Sequence, residues 1–308
     1  MGRALAERLR AEGVDVRGVD LAADPAAGVV AGDTSRDGDW ARHMEGCDAV
    51  VHTAALVSLR GDARRFWEVN VLGTRSALDA ARAAGVRRFV HISSVVVFGY
   101  EFPDGADERH PVRTTGSPYV DTKVAGEQVV LAAHAAGEIE CTVVRPGDVY
   151  GPRGPQWTIL PVELLRAGRL ALPARGRGVF SPVFIDNLVE GILSAARSDA
   201  AAGQVFTLTD GRGVTTRDYF GRYAAMLGKR PPPGVPNALA LPASWLIHHG
   251  NRLAGTANEL NPDAIRYLSR TGTYSIEKAR EWLAYSPAVD LDEGFERTER
   301  WLREAGLL

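Results

Sequence analysis

Along the first half of the chain, short apolar runs alternate with longer stretches in which apolar residues recur at helical spacing. Leu5 and Leu9 share a helical face, and the β-branched run 14–19 after them ends in Asp20, which predicts a helix followed by a strand. The same pairing recurs at 40–45 with 49–52, at 66–84 with 88–92, and at 119–136 with 141–144. Short apolar strands alternating with helical patterns imply right-handed crossovers and a parallel sheet covered on both faces. The predicted class is α/β, doubly wound.

Past Gly151 this regularity stops. Pro, Gly and Arg crowd 153–178, a strand and helix pattern occupies 183–196, and beyond Gly203 short elements follow without βα alternation. The expected division is a sheet-forming domain over 1–152, to which 183–205 returns, and a smaller C-terminal region made of 153–182 and 206–308. No internal repeat is visible. The apolar stretch 238–247 is interrupted by Pro242 and falls far short of the roughly 20 residues a membrane span needs. The opening MGRALAERLRAEG mixes charge with Ala and Leu, unlike a secretory signal, and Ala6 breaks the myristoylation pattern.

Composition narrows the function classes. With 308 residues, 45% hydrophobic and 24% charged, the chain has neither the polarity of a disordered segment nor the cysteine density of a disulfide scaffold. The net charge of −2 offers no broad positive field to a phosphate backbone or an anionic bilayer surface, so no nucleic acid partner is expected, and the shortness of the run 238–247 argues against a membrane span. Cys47 and Cys141 lack any C-x-x-C or Cys/His spacing and read as reduced thiols of a cytoplasmic protein. His52 and His91 follow strands and read as packed core residues. His248 and His249 have no acidic or Cys partner at ligand spacing, so no metal is expected.

Chemistry concentrates at two places. Tyr119 and Lys123 stand four residues apart at the start of an expected helix and project from one face. A tyrosine hydroxyl with a pKa of about 10 handles protons poorly near neutrality, and an ammonium beside it stabilises the phenolate. Taken alone, the pair is a weak signal and reads as an ordinary helix surface. Ser94 changes that balance, because it ends the strand 89–92 at the carboxyl edge, where open parallel sheets place their ligands. Its hydroxyl there can bond the substrate oxygen that the tyrosine protonates; alternatively, Ser93 and Ser94 begin a turn.

Five segments in order, ValValHisThrAlaAla (50–55), AsnValLeuGlyThr (70–74), HisIleSerSerValValValPheGly (91–99), TyrValAspThrLys (119–123) and ArgProGlyAspValTyrGlyPro (145–152), resemble the extended short-chain dehydrogenase/reductase superfamily, also called the NAD-dependent epimerase/dehydratases. The resemblance runs from Gly2 to Leu308. It implies a Rossmann-type sheet, NAD as cofactor and a small-molecule substrate. It implies Tyr119 as general acid/base, Lys123 as the group that positions the nicotinamide ribose and lowers the tyrosine pKa, and Ser94 as the group that orients the substrate oxygen. Asn70, counted with the cofactor residues, would pack beside this cluster and support its helix. Asp20 would meet the adenosine ribose hydroxyls, where a carboxylate repels a 2′-phosphate and favours NAD over NADP. Asp33 and Thr34 would lie at the adenine edge, although Asp33 reads alternatively as a cap of the turn before Trp40. Thr53, Ala54 and Ala55 would pass close to the dinucleotide, and Pro146 and Val149 would flank the nicotinamide. A homodimer through helices 66–84 and 119–136 is also implied.

The opening departs from that family. A first strand and a loop of form T-G-x-x-G-x-x-G, whose glycines let backbone N–H groups approach the pyrophosphate, normally precede the first helix. Only the last glycine of that loop, Gly2, is present here. The absent strand belongs between the strands ending at Asp20 and His52, and its loss is expected to leave unpaired backbone groups and a severely destabilised sheet. The expectation is a chain that is shortened or read from a late start. The alternative is a sheet that relaxes over the gap, with weak NAD binding or none.

Substrate class rests on the second half. Where sugar-nucleotide members carry an arginine that grips the nucleotide phosphates, Phe180 stands here, with Arg175 and Arg177 near enough to substitute. Segments 203–211 and 271–280 resemble the 3β-hydroxysteroid and sterol dehydrogenase branch, which oxidises alcohols on large apolar molecules. Leu239, Leu241, Trp245, Leu246 and Ile247 are then candidates for an apolar pocket or its entrance, the alternative being ordinary core. The leading expectation is an NAD-dependent oxidoreductase that passes hydride between nicotinamide and a secondary alcohol or ketone of an apolar, sterol-like substrate. The alternatives are a sugar-nucleotide epimerase or 4-keto reductase, and a non-catalytic dinucleotide-sensing or interaction protein.

Overall fold

A computed structural model of the chain describes residues 1–36, 38–58, 61–253 and 261–308. It opens with α1 (Gly2–Ala11), followed by β1 (Gly18–Asp20) and β2 (Val29–Ala31), which pair in parallel. β3 (Ala49–His52) comes after a 3₁₀ turn at Asp39–Met44; a helical run then passes from α2 (Ala63–Trp67) through a wider turn at Glu68–Leu72 into α3 (Gly73–Ala83). β4 (Arg88–Ile92), α4 (Pro118–Ala135), β5 (Glu140–Pro146) and β6 (Asp148–Tyr150) follow. The second half contributes α5 (Leu160–Arg166), β7 (Val179–Phe180), β8 (Pro182–Phe184), α6 (Ile185–Arg197), β9 (Val205–Leu208) and β10 (Val214–Thr215). It closes with the helices α7 (Thr216–Met226), α8 (Asn237–Leu253), α9 (Pro262–Leu268), α10 (Glu277–Leu283) and α11 (Leu291–Glu304).

The main sheet is parallel, in the order β3-β4-β5-β9, as the α/β pattern predicts. Successive side chains of its strands face opposite layers. Phe89, Cys141 and Val143 pack on Leu78, Ala81, Val130 and Ala133 of α3 and α4. Val90, Ile92 and Val144 pack on Leu188, Val189 and Ile192 of α6. Burial on both faces explains why these strands read as mainly apolar rather than alternating. Each fully buried Val, Leu, Ile or Phe side chain contributes roughly 1.5–3 kcal/mol. α4 starts on Pro118, whose missing N–H is no loss in a first turn. It approaches the α2–α3 run closely at Gly126, where a Cβ would sit 3.1 Å from the Asn70 carbonyl oxygen.

Two expectations are corrected. The run 14–19 yields a strand only at Gly18–Asp20, because a strand exists by pairing and the partner of β1, Val29–Ala31, is three residues long. The helix expected at 40–45 is a 3₁₀ turn, since a segment this short does not repay α-helix nucleation. The β1–β2 pair is not bonded to β3, and β3 has no strand neighbour other than β4 among the described residues. The sheet therefore does not relax over the gap. Residues 14–20 and 48–55 line one open cleft from its two sides. The first segment is moored instead through α1, whose Arg8 and Glu12 pair with Glu190 and Arg197 of α6. Among the described residues, no helix is long and apolar enough to cross a membrane.

Candidate active site

Ser94, Tyr119 and Lys123 line a cleft of about 2120 Å³ that runs from the carboxyl edge of the sheet, between β1 and β3, to Asp48 and Arg87 at the amino edge. Ser94 follows β4 and does begin a turn: its Oγ accepts the Val96 N–H at 3.3 Å. Its hydroxyl also bonds the Tyr119 phenol, which α4 carries in its first turn. Burial pushes that phenol up to about 12, against the lowering effect of the Ser94 bond. One turn along, the buried Lys123 Nζ donates to the Ile92 carbonyl at 2.9 Å, and burial pushes its ammonium down to about 8.

The lysine shift has a sign that can be measured. Between about 8 and its ordinary 10.5, the unfolded chain holds a proton that the folded chain has released, so stability rises with pH. This contribution is complete above 10.5 and is lost as pH falls through 8. From pH 8 to 9 the urea midpoint of the wild type is expected to climb relative to that of Lys123→Met, a difference from which the opposing contributions of Cys141, whose ordinary value of 9.0 borders this window, and of the buried tyrosines cancel. Parallel slopes would show that Lys123 is solvated.

The remaining expected positions extend from this group. Pro146, Val149, Thr53, Ala54 and Ala55 line the same cleft, and so do Asp20, Asp33 and Thr34. Gly2 lies against β3, where a Cβ would come within 3.2 Å of Thr53 Oγ1. Asp33 accepts the Ser35 hydroxyl at 2.6 Å and the Ser35 N–H at 2.9 Å, with Arg65 at 3.5 Å. These contacts, the Ser35 hydroxyl first, hold its carboxyl below the usual range, so Asp33 caps a local turn as well as facing the cleft. Asn70 is buried and is not part of the lining. Its amide spans from the Leu56 backbone, at 2.8 and 3.2 Å, to Thr122 Oγ1 at 3.1 Å, joining the cleft wall to α4. His52 and His91 are core residues, stacked at 5.7 Å.

A dinucleotide fits this donor set at both ends: a carboxylate after β1, small side chains after β3, and a hydroxyl, phenol and ammonium together. At its middle, the N-terminus of α1 is the one described backbone feature suited to a diphosphate.

Other walls were not foreseen. Leu56, Val57, Val96, Trp157 and Tyr267 face the cleft around Tyr119. Trp157 follows the GlyPro of the last motif closely enough to have been noticed, whereas Tyr267 lies in no motif. Phe180 is buried among Trp157, Tyr219 and Phe220. Two expectations fail here. Arg175 and Arg177 are not among the described lining residues; Arg177 turns its Nε back to the Ala174 carbonyl, and the Arg175 backbone bonds Val235. The stretch 238–247 forms neither core nor cleft: Leu239, Trp245, Leu246 and Ile247 are exposed on α8 and Leu241 lies off the cleft, since one face of that helix suffices to pack on α9.

Residues 1–208 match the model of the NAD dependent epimerase/dehydratase family. The chain is similar to a 4-hydroxy-2-methyl-3-oxo-4-farnesyl-3,4-dihydroquinoline-1-oxide ketoreductase of Stigmatella aurantiaca, at 31% identity over 99% of this chain and 93% of the relative. It is 29% identical to 3beta-hydroxysteroid-dehydrogenase/decarboxylase isoform 1 of Arabidopsis thaliana over 83% of its own length, and spans 62% of that longer protein. Among solved structures it resembles MoeE5 in complex with UDP-glucuronic acid and NAD, with a TM-score of 0.78 and 25% identity over 99% of this chain and 96% of that one. A family match across 1–208, with relatives aligned along nearly the whole chain, makes the protein a member of the NAD dependent epimerase/dehydratase family, the extended short-chain type of NAD-dependent dehydrogenase and epimerase.

Proposed function

We propose that the chain interconverts a secondary alcohol and a ketone on an apolar, sterol-like substrate. The observation that carries this reading is the wall around Tyr119. It is built from Leu56, Val57, Val96, Trp157 and Tyr267, while Phe180 is packed away among aromatic rings and Arg175 and Arg177 stand off the cleft. Arg153, which lines the cleft shortly before Trp157 in sequence, is already paired with Glu7, so a nucleotide diphosphate in this half would have to compete for its guanidinium. The steroid dehydrogenase and farnesylated-substrate ketoreductase among the relatives act on molecules of the corresponding chemistry.

Bound NAD would supply the hydride acceptor. Asp20 would hold the adenosine ribose, and Lys123 the nicotinamide ribose. Tyr119 takes the hydroxyl proton as the carbinol carbon is oxidised and returns it in the reverse direction, and Ser94 holds the same oxygen in line. Lys123, one turn below the phenol, is the buried cation that favours the phenolate.

The test is NADH formation at 340 nm with a 3β-hydroxysteroid and, separately, chromatographic separation of the sugar nucleotides after incubation with UDP-glucose, since epimerisation returns its hydride and leaves no net NADH. Turnover of the steroid alone is expected. A second reading, sugar-nucleotide epimerisation, is favoured by the likeness to MoeE5 with its bound UDP-sugar, and UDP-glucose conversion without steroid turnover would establish it.

We also propose a homodimer through the α2–α3 run and α4, where Trp67 and Leu72 are exposed. Light scattering is expected to give twice 33.1 kDa, and Trp67→Asp to give the monomer.

A further inference from the structure

A buried charge cluster stands behind the cleft wall. Asp148, fully buried at the start of β6, accepts the Ser181 amide at 2.9 Å and pairs with the buried Arg270 guanidinium at 3.2 Å. The Tyr267 hydroxyl donates to the other Asp148 oxygen. The Arg270 guanidinium lies 3.5 Å from the centre of the Tyr267 ring and donates to the Tyr274 hydroxyl at 3.1 Å.

An ion pair taken wholly out of water seldom stabilises a fold more than apolar residues of the same volume would. Here, moreover, Arg270 Nε is buried with no partner among the described residues. What the cluster does achieve is to leave Tyr267 a single position, its hydroxyl tethered and its ring covered by the guanidinium. That ring stacks on Trp157 at 5.6 Å with 12° between planes, and it packs in one cluster with Tyr119, Phe66 and Val96. Asp148 also lies two residues beyond Pro146, so the cluster ties α9 to the segment expected beside the nicotinamide.

We propose that Tyr267, held by Asp148 and Arg270, is a positioning residue of this site: stacked behind Trp157, it fixes the indole as the aromatic wall that a flat, fused-ring substrate meets. The inference rests on the apolar-substrate reading above. The contact area of remote rings on that wall orients the carbinol toward Tyr119, and a small alcohol has no such area to offer.

The experiment compares kcat/KM for a 3β-hydroxysteroid and for cyclohexanol, with saturating NAD, in the wild-type chain, Tyr267→Phe and Tyr267→Ala. Tyr267→Ala is expected to lower the steroid-to-cyclohexanol ratio by roughly 30-fold, mainly through the steroid KM. Tyr267→Phe keeps the ring without its tether and is expected to lower the ratio by a few fold. Equal losses on both substrates, or none, would overturn the inference while leaving the substrate class intact. If Tyr267→Ala does not fold, an unchanged ratio in Tyr267→Phe overturns it. Wild-type turnover of UDP-glucose without turnover of the steroid would sink the substrate reading itself, and this inference with it.

Discussion

Tyr119→Phe is expected to lower kcat for alcohol oxidation by about 10²–10⁴-fold, the range associated with losing a positioned general acid/base. Phenylalanine keeps the ring that packs 6.5 Å from Phe66 and within the cluster holding Val96 and Val120, so the steroid KM and the urea midpoint should change little. The physical reason lies in two opposed shifts. A phenol pushed up to about 12 by burial gives up its proton near neutrality only if positive charge stands close, and burial brings the Lys123 ammonium down to about 8 one turn away. Burial thus moves the lysine toward working pH and the phenol away from it, so proton transfer at Tyr119 depends on the positive charge that Lys123 still carries near neutrality. Stopped-flow or steady-state NADH absorbance measures the loss; a rate within twofold of wild type would remove Tyr119 from the reaction.

The second large effect concerns stability. Arg145, at the end of β5, grips Glu127 of α4 through two bonds of 2.8 and 2.7 Å, and both residues are buried. Glu127→Ala is expected to cost about 3–5 kcal/mol in urea unfolding, because it leaves a guanidinium in the core without its carboxylate. The desolvated arginine is exacting already, since its Nη1 has no partner among the described residues. Glu127→Leu combined with Arg145→Met should recover most of the loss, since an apolar pair of similar volume removes the stranded charge. A loss below about 1 kcal/mol in the single variant would mean that water reaches the pair. The pair sits one turn beyond Lys123 on α4 and directly before Pro146, so it fixes the register between the proton-handling helix and the far side of the cleft.

What could be read from the sequence was what depends on local pattern. The run 88–92 is a strand, because Phe89, Val90 and Ile92 are buried on both faces and its two polar members, Arg88 and His91, are buried with them. Tyr119 and Lys123 face one way because they are four apart on a helix, and Ser94 joins them because strands of a parallel sheet end at one edge. Long-range pairing was less visible. Residues 14–17 have strand composition but no strand, since composition does not supply a neighbour. Arg175 and Arg177 sit near the right position in sequence, yet local turns point them elsewhere. Tyr267 reaches the cleft across 119 positions from Asp148, and neither residue announces the other. The exposed apolar face of α8 ran against the assumption that a greasy run must be covered.

The interruption between β1 and β3 has a consequence for how the molecule would persist. Asp20 and Asp33 belong to the block moored by α1, whereas Tyr119 and Lys123 belong to the block built on β4 and β5. Among the described residues no backbone ladder joins the two, which meet instead through the packing of Val19 and Trp40 with Phe89 and Val143. A dinucleotide touching both blocks would therefore be a cross-link as well as a reactant. By mass action, it would add about 2.7 kcal/mol at a free concentration one hundred times its Kd.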